Sequence, residues 1–198
     1  MRQILIVESS PRGAESASRN LTNKVKERLG AEHPDARIVV RDLAEGSPPH
    51  LDQSAVNSMF AHVESRKVAL RLSDLLTDEF LSSDLVVIAS PMWNFAIPSS
   101  LKAWIDHIVR PGRTFRYAGE GVEGLATGKR AILLLSSGGV FSDGPWKDWD
   151  AVEPYLRRIL GFIGIQDVQI ARAEGMNIPP LATYAIPNGH KAVETLVL

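Results

Sequence analysis

Short apolar runs alternate with stretches of helical spacing along the chain, and that alternation restricts the fold more than any other feature. Ile4–Val7, Leu85–Ala89 and Ala131–Leu135 are continuous apolar runs. Strands of this kind are buried on both faces, as in a parallel sheet covered by helices. Arg37–Leu43 has charged ends and suits a sheet edge. Val168–Ala173 completes five expected strands. Between them, Ser18–Leu29 has Leu21, Val25 and Leu29 on one helical face, with Gly30 as its expected stop. A long helical region falls into two pieces, near Asp52–Phe60 and Glu64–Leu81, with Val68, Leu72, Leu75 and Leu76 as core candidates. Leu101–Val109, Trp149–Phe162 and Asn188–Leu196 are further expected helices, and Pro111–Thr127 reads as an excursion or small hairpin. The order predicts an α/β fold. Right-handed crossovers bring every strand's carboxyl end to one edge. With five strands and no dinucleotide fingerprint, the expectation is a flavodoxin-like doubly wound five-stranded parallel sheet, order 2-1-3-4-5.

The 198 residues are most economically one domain, spanning 1–198. The net charge of −1 gives no general attraction to nucleic acid or anionic membrane. No cysteine is present, which excludes disulfides, thiolate catalysis, zinc–thiolate sites and iron–sulfur clusters. Met1–Glu8 reaches a charge too soon for a signal peptide, and no run is long enough to span a bilayer. A soluble, cytoplasmic protein is expected.

Three loops fall at the carboxyl ends of the first, third and fourth expected strands, where open α/β sheets bind ligands. The first, Glu8–Ser18, enters a helix. Ser10, Ser16 and Ser18, with backbone N–H groups at the helix start, suit a phosphate, and Arg12 adds charge. An N-cap role for Ser16 or Ser18 explains the same residues. The loop is neither a Walker P-loop nor a G-x-G-x-x-G turn. The second, Pro91–Pro98, brackets Met92-Trp93-Asn94-Phe95-Ala96-Ile97 between prolines. Its aromatic area and one amide suit a flat cofactor, and equally a dimer contact. The third, Ser136-Ser137-Gly138-Gly139-Val140-Phe141, has paired glycines that permit close backbone approach to a ring, or a turn with positive φ. Together, the loops describe a pocket for flavin mononucleotide (FMN).

From about Ile4 to about Glu174 the chain resembles the FMN-dependent NADH:quinone oxidoreductases, or NADH-azoreductases. The resemblance rests on Pro91–Phe95, Thr114-Phe115-Arg116-Tyr117, Gly124-Leu125 with Gly128-Lys129, Ser136–Gly139, and Leu160-Gly161-Phe162-Ile163-Gly164-Ile165. It implies a homodimer with FMN at the subunit interface. Ser10 and Ser16-Ala17-Ser18 take the place of the phosphate and ribityl contacts. Met92, Trp93, Asn94 and Phe95 take that of the isoalloxazine cradle. Ser136, Ser137, Gly138 and Gly139 form the second ring contact. Asn94, Tyr117 and Phe162 are the substrate-side candidates, with Phe60 and Tyr184 as further walls of an apolar slot. The implied reaction is ping-pong two-electron (hydride) reduction of quinones and azo compounds by NADH or NADPH. Backbone N–H groups near Asn94 or Phe95 would steady flavin N5, and those near Gly138 or Gly139 would stabilise negative charge on the reduced ring.

The chain departs from the family at Ala17, where glutamine is common, at Trp93, where tyrosine is frequent, and at Phe141, which is polar in some relatives. After Gly175 the match is less clear.

A non-enzymatic flavodoxin-like electron carrier is the alternative, but such carriers are strongly acidic. Serine hydrolysis at Ser136 and His107 lacks a G-x-S-x-G elbow. A scaffold that has lost its cofactor would not need the aromatic loop and the Gly-Gly turn. The five histidines are scattered without metal-ligand spacing and are expected to be solvated or capping; no metal is expected. Asp143–Trp146 with Trp149 reads as a turn covering an interface. Arg19, Lys24, Lys26 and Arg28 read as a solvated helix face.

Overall fold

The computed structural model describes residues 2–60 and 70–198, apart from the side chain of Phe60. Five parallel strands form one sheet: β1 (Gln3–Glu8), β2 (Arg37–Asp42), β3 (Leu85–Pro91), β6 (Arg130–Ser136) and β7 (Asp167–Ala173), in the order β2-β1-β3-β6-β7. Counting only these five, the order is the expected 2-1-3-4-5. The glycine-containing excursion is a two-stranded antiparallel hairpin, β4 (Phe115–Ala118) and β5 (Gly121–Gly124).

The apolar runs divide their side chains between two cores, as period-2 strands must. Ile4, Ile6, Leu85, Val87, Ile132 and Leu134 face the core under α1 (Ala17–Glu32) and α6 (Pro179–Glu194). Leu5, Val7, Val86, Ile88, Leu133 and Leu135 face the core under α3 (Arg71–Leu81), α4 (Ser99–Ile108) and α5 (Glu153–Phe162). A short α2 (Gln53–Phe60) precedes α3. β2 is an edge strand, with Ile38 and Val40 exposed.

Several helices differ from expectation, each for a physical reason. Gly30 does not end α1; the helix runs on to Glu32, just before Pro34. Instead of starting at Asn188, α6 begins at Pro179 and has Pro187 in its interior. Pro179 and Pro180 occupy the first turn, where no helical N–H is needed. Gly144–Trp149 is a 3-10 turn, so α5 starts at Glu153 and not at Trp149. On α3, Leu72 and Leu75 are exposed and Leu76 is buried. The buried face runs through Ser73, Leu76, Thr77 and Phe80, because the Ser73 hydroxyl donates to the His107 carbonyl at 2.6 Å and that of Thr77 to the Ser73 carbonyl at 2.6 Å. Satisfied hydroxyls can line a helix interface, so polarity concealed the face. Val68 and the Glu64 end of that region lie outside the described residues.

The basic face of α1 is not simply solvated. Arg19 pairs with Glu8 and with Asp42, and Arg28 donates to the carbonyls of Val193 and Leu196 at 2.6 and 3.0 Å, closing the end of α6. His107 is buried, not solvated; facing the Pro49 carbonyl at 2.9 Å, its Nε2 must carry the proton.

Candidate functional site

Parallel pairing of β1, β3 and β6 sets their carboxyl ends side by side, and the three loops meet there. A cleft of about 500 Å³ is lined by Ser10, Arg12, Ser16 and Ala17 at one end, and by Met92, Trp93, Asn94, Ser136, Ser137 and Gly138 at the other. No carboxylate is among its lining residues.

The hydroxyl end is built on the start of α1. Ser16 is the N-cap: its Oγ accepts from the Arg19 N–H at 3.3 Å and lies 3.0 Å from Ser18 Oγ. Capping and anion binding are compatible, because the first-turn N–H groups of Ala17 and Ser18 have no carbonyl one turn back. Ser18 is fully buried behind Ser16 and does not line the cleft.

The aromatic end is a tight turn. Trp93 and Ala96 exchange both backbone hydrogen bonds at 2.9 Å, and the central residues Asn94 and Phe95 have φ of 47° and 67°. Left-handed backbone is unusual for a residue as bulky as phenylalanine. Strain of this kind concentrates at binding sites. The turn holds Asn94 in the cleft and directs Phe95 away from it, against Phe141, Trp146 and Trp149, with ring centroids 5.1–6.3 Å apart. The Ala151 N–H donates to the Phe95 carbonyl at 3.0 Å and ties the turn to the segment before α5. Gly139 lies beyond the cleft, in a neighbouring apolar pocket.

A fourth segment completes the wall. Met176 and Asn177, between β7 and α6, line the cleft beside Gly138. Backbone N–H groups of Gly175 and Asn177 donate to the carbonyls of Gly139 and Gly138, both at 2.9 Å. A Cβ on Gly138 would collide with the Asn177 side-chain amide. Gly175, two residues beyond the end of β7, is the sequence signal for a turn here.

Two charge clusters support the loops. Arg19 also donates to the Ser10 carbonyl at 3.1 Å. The hydrogen bond from Arg19 holds the Asp42 carboxyl below the usual carboxylate range. Across the sheet, Arg172 pairs with Asp150 at 2.7 Å, with Glu153, and with Glu174 at 3.3 Å. Burial pushes the Glu153 carboxyl up, but hydrogen bonds from Arg172 and Arg157 outweigh it and leave the value lowered. Glu174 in turn accepts from the Phe141 and Ser142 N–H groups at 2.8 and 3.0 Å.

Tyr117 and Phe162 are elsewhere. They surround Phe115 at 5.7 and 4.8 Å between ring centroids, remain exposed, and do not line the cleft. Tyr184 is exposed on α6 and is likewise not a lining residue. The side chain of Phe60 is outside the described residues.

A five-stranded parallel sheet with a ligand cleft at the carboxyl ends of β1, β3 and β6 defines a flavodoxin-like α/β protein. The family model described as flavodoxin-like fold matches residues 2–196. An FMN-dependent NADH:quinone oxidoreductase from Beijerinckia indica is 56% identical, with both chains covered completely. A Pseudomonas fluorescens protein of the same name is 47% identical over 90% of each chain. An azoreductase structure from Bacillus anthracis superposes with a TM-score of 0.90 at 30% identity, covering 98% of each chain. A Bacillus anthracis FMN-dependent NADH-azoreductase solved in complex with FMN superposes with a TM-score of 0.86 at 28% identity, covering 98% of this chain and 96% of that one. The chain belongs to the flavodoxin-like family of FMN-dependent NADH:quinone oxidoreductases and azoreductases.

Proposed function

We propose that this chain is an FMN-dependent oxidoreductase that uses NADH or NADPH to reduce quinones and azo compounds. One observation carries the reading: a single carboxylate-free cleft joins serine hydroxyls and helix-start N–H groups at one end to an aromatic–amide turn at the other. That donor set fits FMN. Ser10, Ser16 and the Ala17 and Ser18 N–H groups would hold its phosphate, with Arg12 adding positive charge. Met92, Trp93 and Asn94 would flank the ring, and the Ser137–Gly138 backbone would approach its edge. Phe95 and Gly139 act from just outside, fixing the turn and extending the backbone wall.

The chemistry that bound FMN supplies is a two-electron transfer, in alternating half-reactions, from a reduced nicotinamide to a quinone or azo acceptor. The chain's part is to bind, orient and exclude water. Asn94 and the adjacent N–H groups would offer fixed dipoles at one side of the cleft and Gly138 at the other, while Ser137 holds the loop in place, its N–H bonded to the Ala173 carbonyl at 3.0 Å and its hydroxyl to the Gly139 carbonyl at 2.9 Å. The whole chain acts as one domain and works in the cytoplasm. Among the described residues, no helix is long and apolar enough to cross a membrane.

Its working form is a homodimer. Tyr117 and Phe162 are 71% and 37% exposed, and they gain a role when they face a partner's cleft as part of its substrate wall.

The test is a visible spectrum of the purified protein after loading with FMN and removal of excess, repeated without oxygen on adding NADH. Retained flavin that bleaches and recovers with a quinone is the expected outcome. Retained flavin that fails to bleach would make the protein an electron carrier, and failure to retain flavin would overturn the cofactor assignment.

A further inference from the structure

Asparagine just ahead of a helix ordinarily serves as a cap, its side chain accepting from a first-turn N–H. Asn177, ahead of α6, has no such work to do. The helix begins with Pro179 and Pro180, which carry no N–H, and the Leu181 N–H already donates to the Ile178 carbonyl at 2.8 Å. Among the described residues, the Asn177 side-chain amide has no hydrogen-bond partner. Nor does it hold its own loop. Backbone bonds do that: the N–H groups of Asn177 and Gly175 donate to the carbonyls of Gly138 and Gly139, and that of Ile178 to the Gly175 carbonyl at 3.0 Å. Those bonds lay the amide on Gly138, where a Cβ would come within 2.4 Å of Nδ2 and 2.8 Å of Cγ. A free carboxamide is thus fixed at the ring end of the cleft, and Asn94 is the other carboxamide among the lining residues.

Building on the FMN reading, we propose that Asn177 is a cofactor-contacting residue whose carboxamide binds the reduced ring more tightly than the oxidised one, and so raises the reduction potential of the bound group. Reduction places negative charge on the pyrimidine edge of the ring. A hydrogen bond to a charged acceptor is worth more than one to a neutral acceptor, so a donor fixed beside that edge favours the reduced form. The backbone has already placed this donor, and little reorganisation is needed as the charge develops. No carboxylate among the lining residues opposes it. The side-chain type matters. Aspartate has nearly the same shape but, when ionised, only acceptors, and it would set one negative charge beside another. Gly138 belongs to the same device, because any larger residue there would displace the amide.

The experiment uses the full chain loaded with FMN, without nicotinamide or acceptor. The midpoint potential of the bound FMN is read in anaerobic equilibrium with a reference dye. The dissociation constant of oxidised FMN is read by fluorescence titration, and the two together give the affinity for the reduced form. Asn177→Ala is expected to bind reduced FMN about tenfold more weakly relative to oxidised FMN, the low end for losing a hydrogen bond to a charged group. That lowers the two-electron potential by about 30 mV. Asn177→Asp lowers it further, and more at low salt than at high salt. Asn177→Ser keeps a donor on a shorter side chain and falls between Asn177→Ala and wild type. Denaturant unfolding checks that the variants fold alike, as expected for an exposed side chain. A potential unchanged in Asn177→Ala and Asn177→Asp, even with weaker binding of oxidised FMN, would overturn the proposal and leave Asn177 a part of the wall alone. Failure of the wild-type chain to retain FMN would overturn the cofactor reading, and this inference with it.

Discussion

Arg19 and Arg172 brace the cleft from opposite ends of the sheet, using the same device in different structural settings. Arg19 leaves α1 to meet Glu8 at the end of β1, Asp42 at the end of β2, and the Ser10 carbonyl. Those groups are already held together by the β1–β2 ladder and by packing of α1 on the sheet. Lys26 also stands 3.5 Å from Glu8, so that carboxylate keeps a second cation. Arg172 leaves β7 and joins segments that no ladder connects: Asp150 and Glu153 at the start of α5, and Glu174, which holds the backbone of Phe141 and Ser142. An arginine among carboxylates is thus a reinforcement where regular structure exists, and the principal tie where loops must be positioned.

Arg172→Met tests the contrast at its strongest. It leaves three carboxylates, one of them 6% exposed, around an apolar side chain. Unfolding stability is expected to fall by about 3 kcal/mol, the lower end for breaking a buried ion pair from one side, and FMN affinity to fall with it. Denaturant unfolding and flavin titration check both. A loss of stability with unchanged flavin affinity would show that the loops do not depend on this tie.

Arg19→Met is expected to cost less, about 2 kcal/mol, because the pair is partly solvated and Lys26 remains. Its signature is pH dependence. Asp42 has a folded value below its unfolded one, so its stabilisation is fully present above the ordinary carboxylate range and is lost as pH falls through the folded value. The stability gap between wild type and Arg19→Met should therefore narrow in acid, below about pH 4. A gap constant down to acid would refute the Asp42 pairing as its source.

Ser16→Ala is the smallest of the three. Loss of the N-cap is worth about 1 kcal/mol in stability. If Ser16 also meets phosphate, FMN affinity falls by more than riboflavin affinity. Equal losses for the two ligands would leave Ser16 as a cap alone.

The three loops were legible because each is a strand-to-helix junction, local in the chain and marked by serines, prolines or paired glycines. Asn177 and the Arg172–Glu174 tie were not, because the groups they hold, Gly138, Phe141, Asp150 and Glu153, lie 19 or more residues away and are brought near by β6–β7 pairing. The direction of Phe95 was also hidden. Its side chain belongs to the neighbouring aromatic cluster because two successive left-handed residues turn it there. Gly124 and Gly164, separate pieces in the family resemblance, touch in the fold: a Cβ on Gly124 would collide with the Gly164 backbone. The polar positions Ser73 and Thr77 displaced the expected apolar face of α3 for a related reason, since their satisfaction depends on a carbonyl of α4.

Sequence by itself determined the five strands of the sheet, the burial of β1, β3 and β6 on both faces, and the edge where the three loops meet, because apolar periodicity and βα handedness act locally and repeat along the chain. Only the tertiary structure decided which residues share one cavity, which arginine is a tie and which a reinforcement, and where the second apolar cavity opens. Those properties depend on side chains from distant strands meeting at fixed distances, and no periodicity in one dimension encodes that meeting.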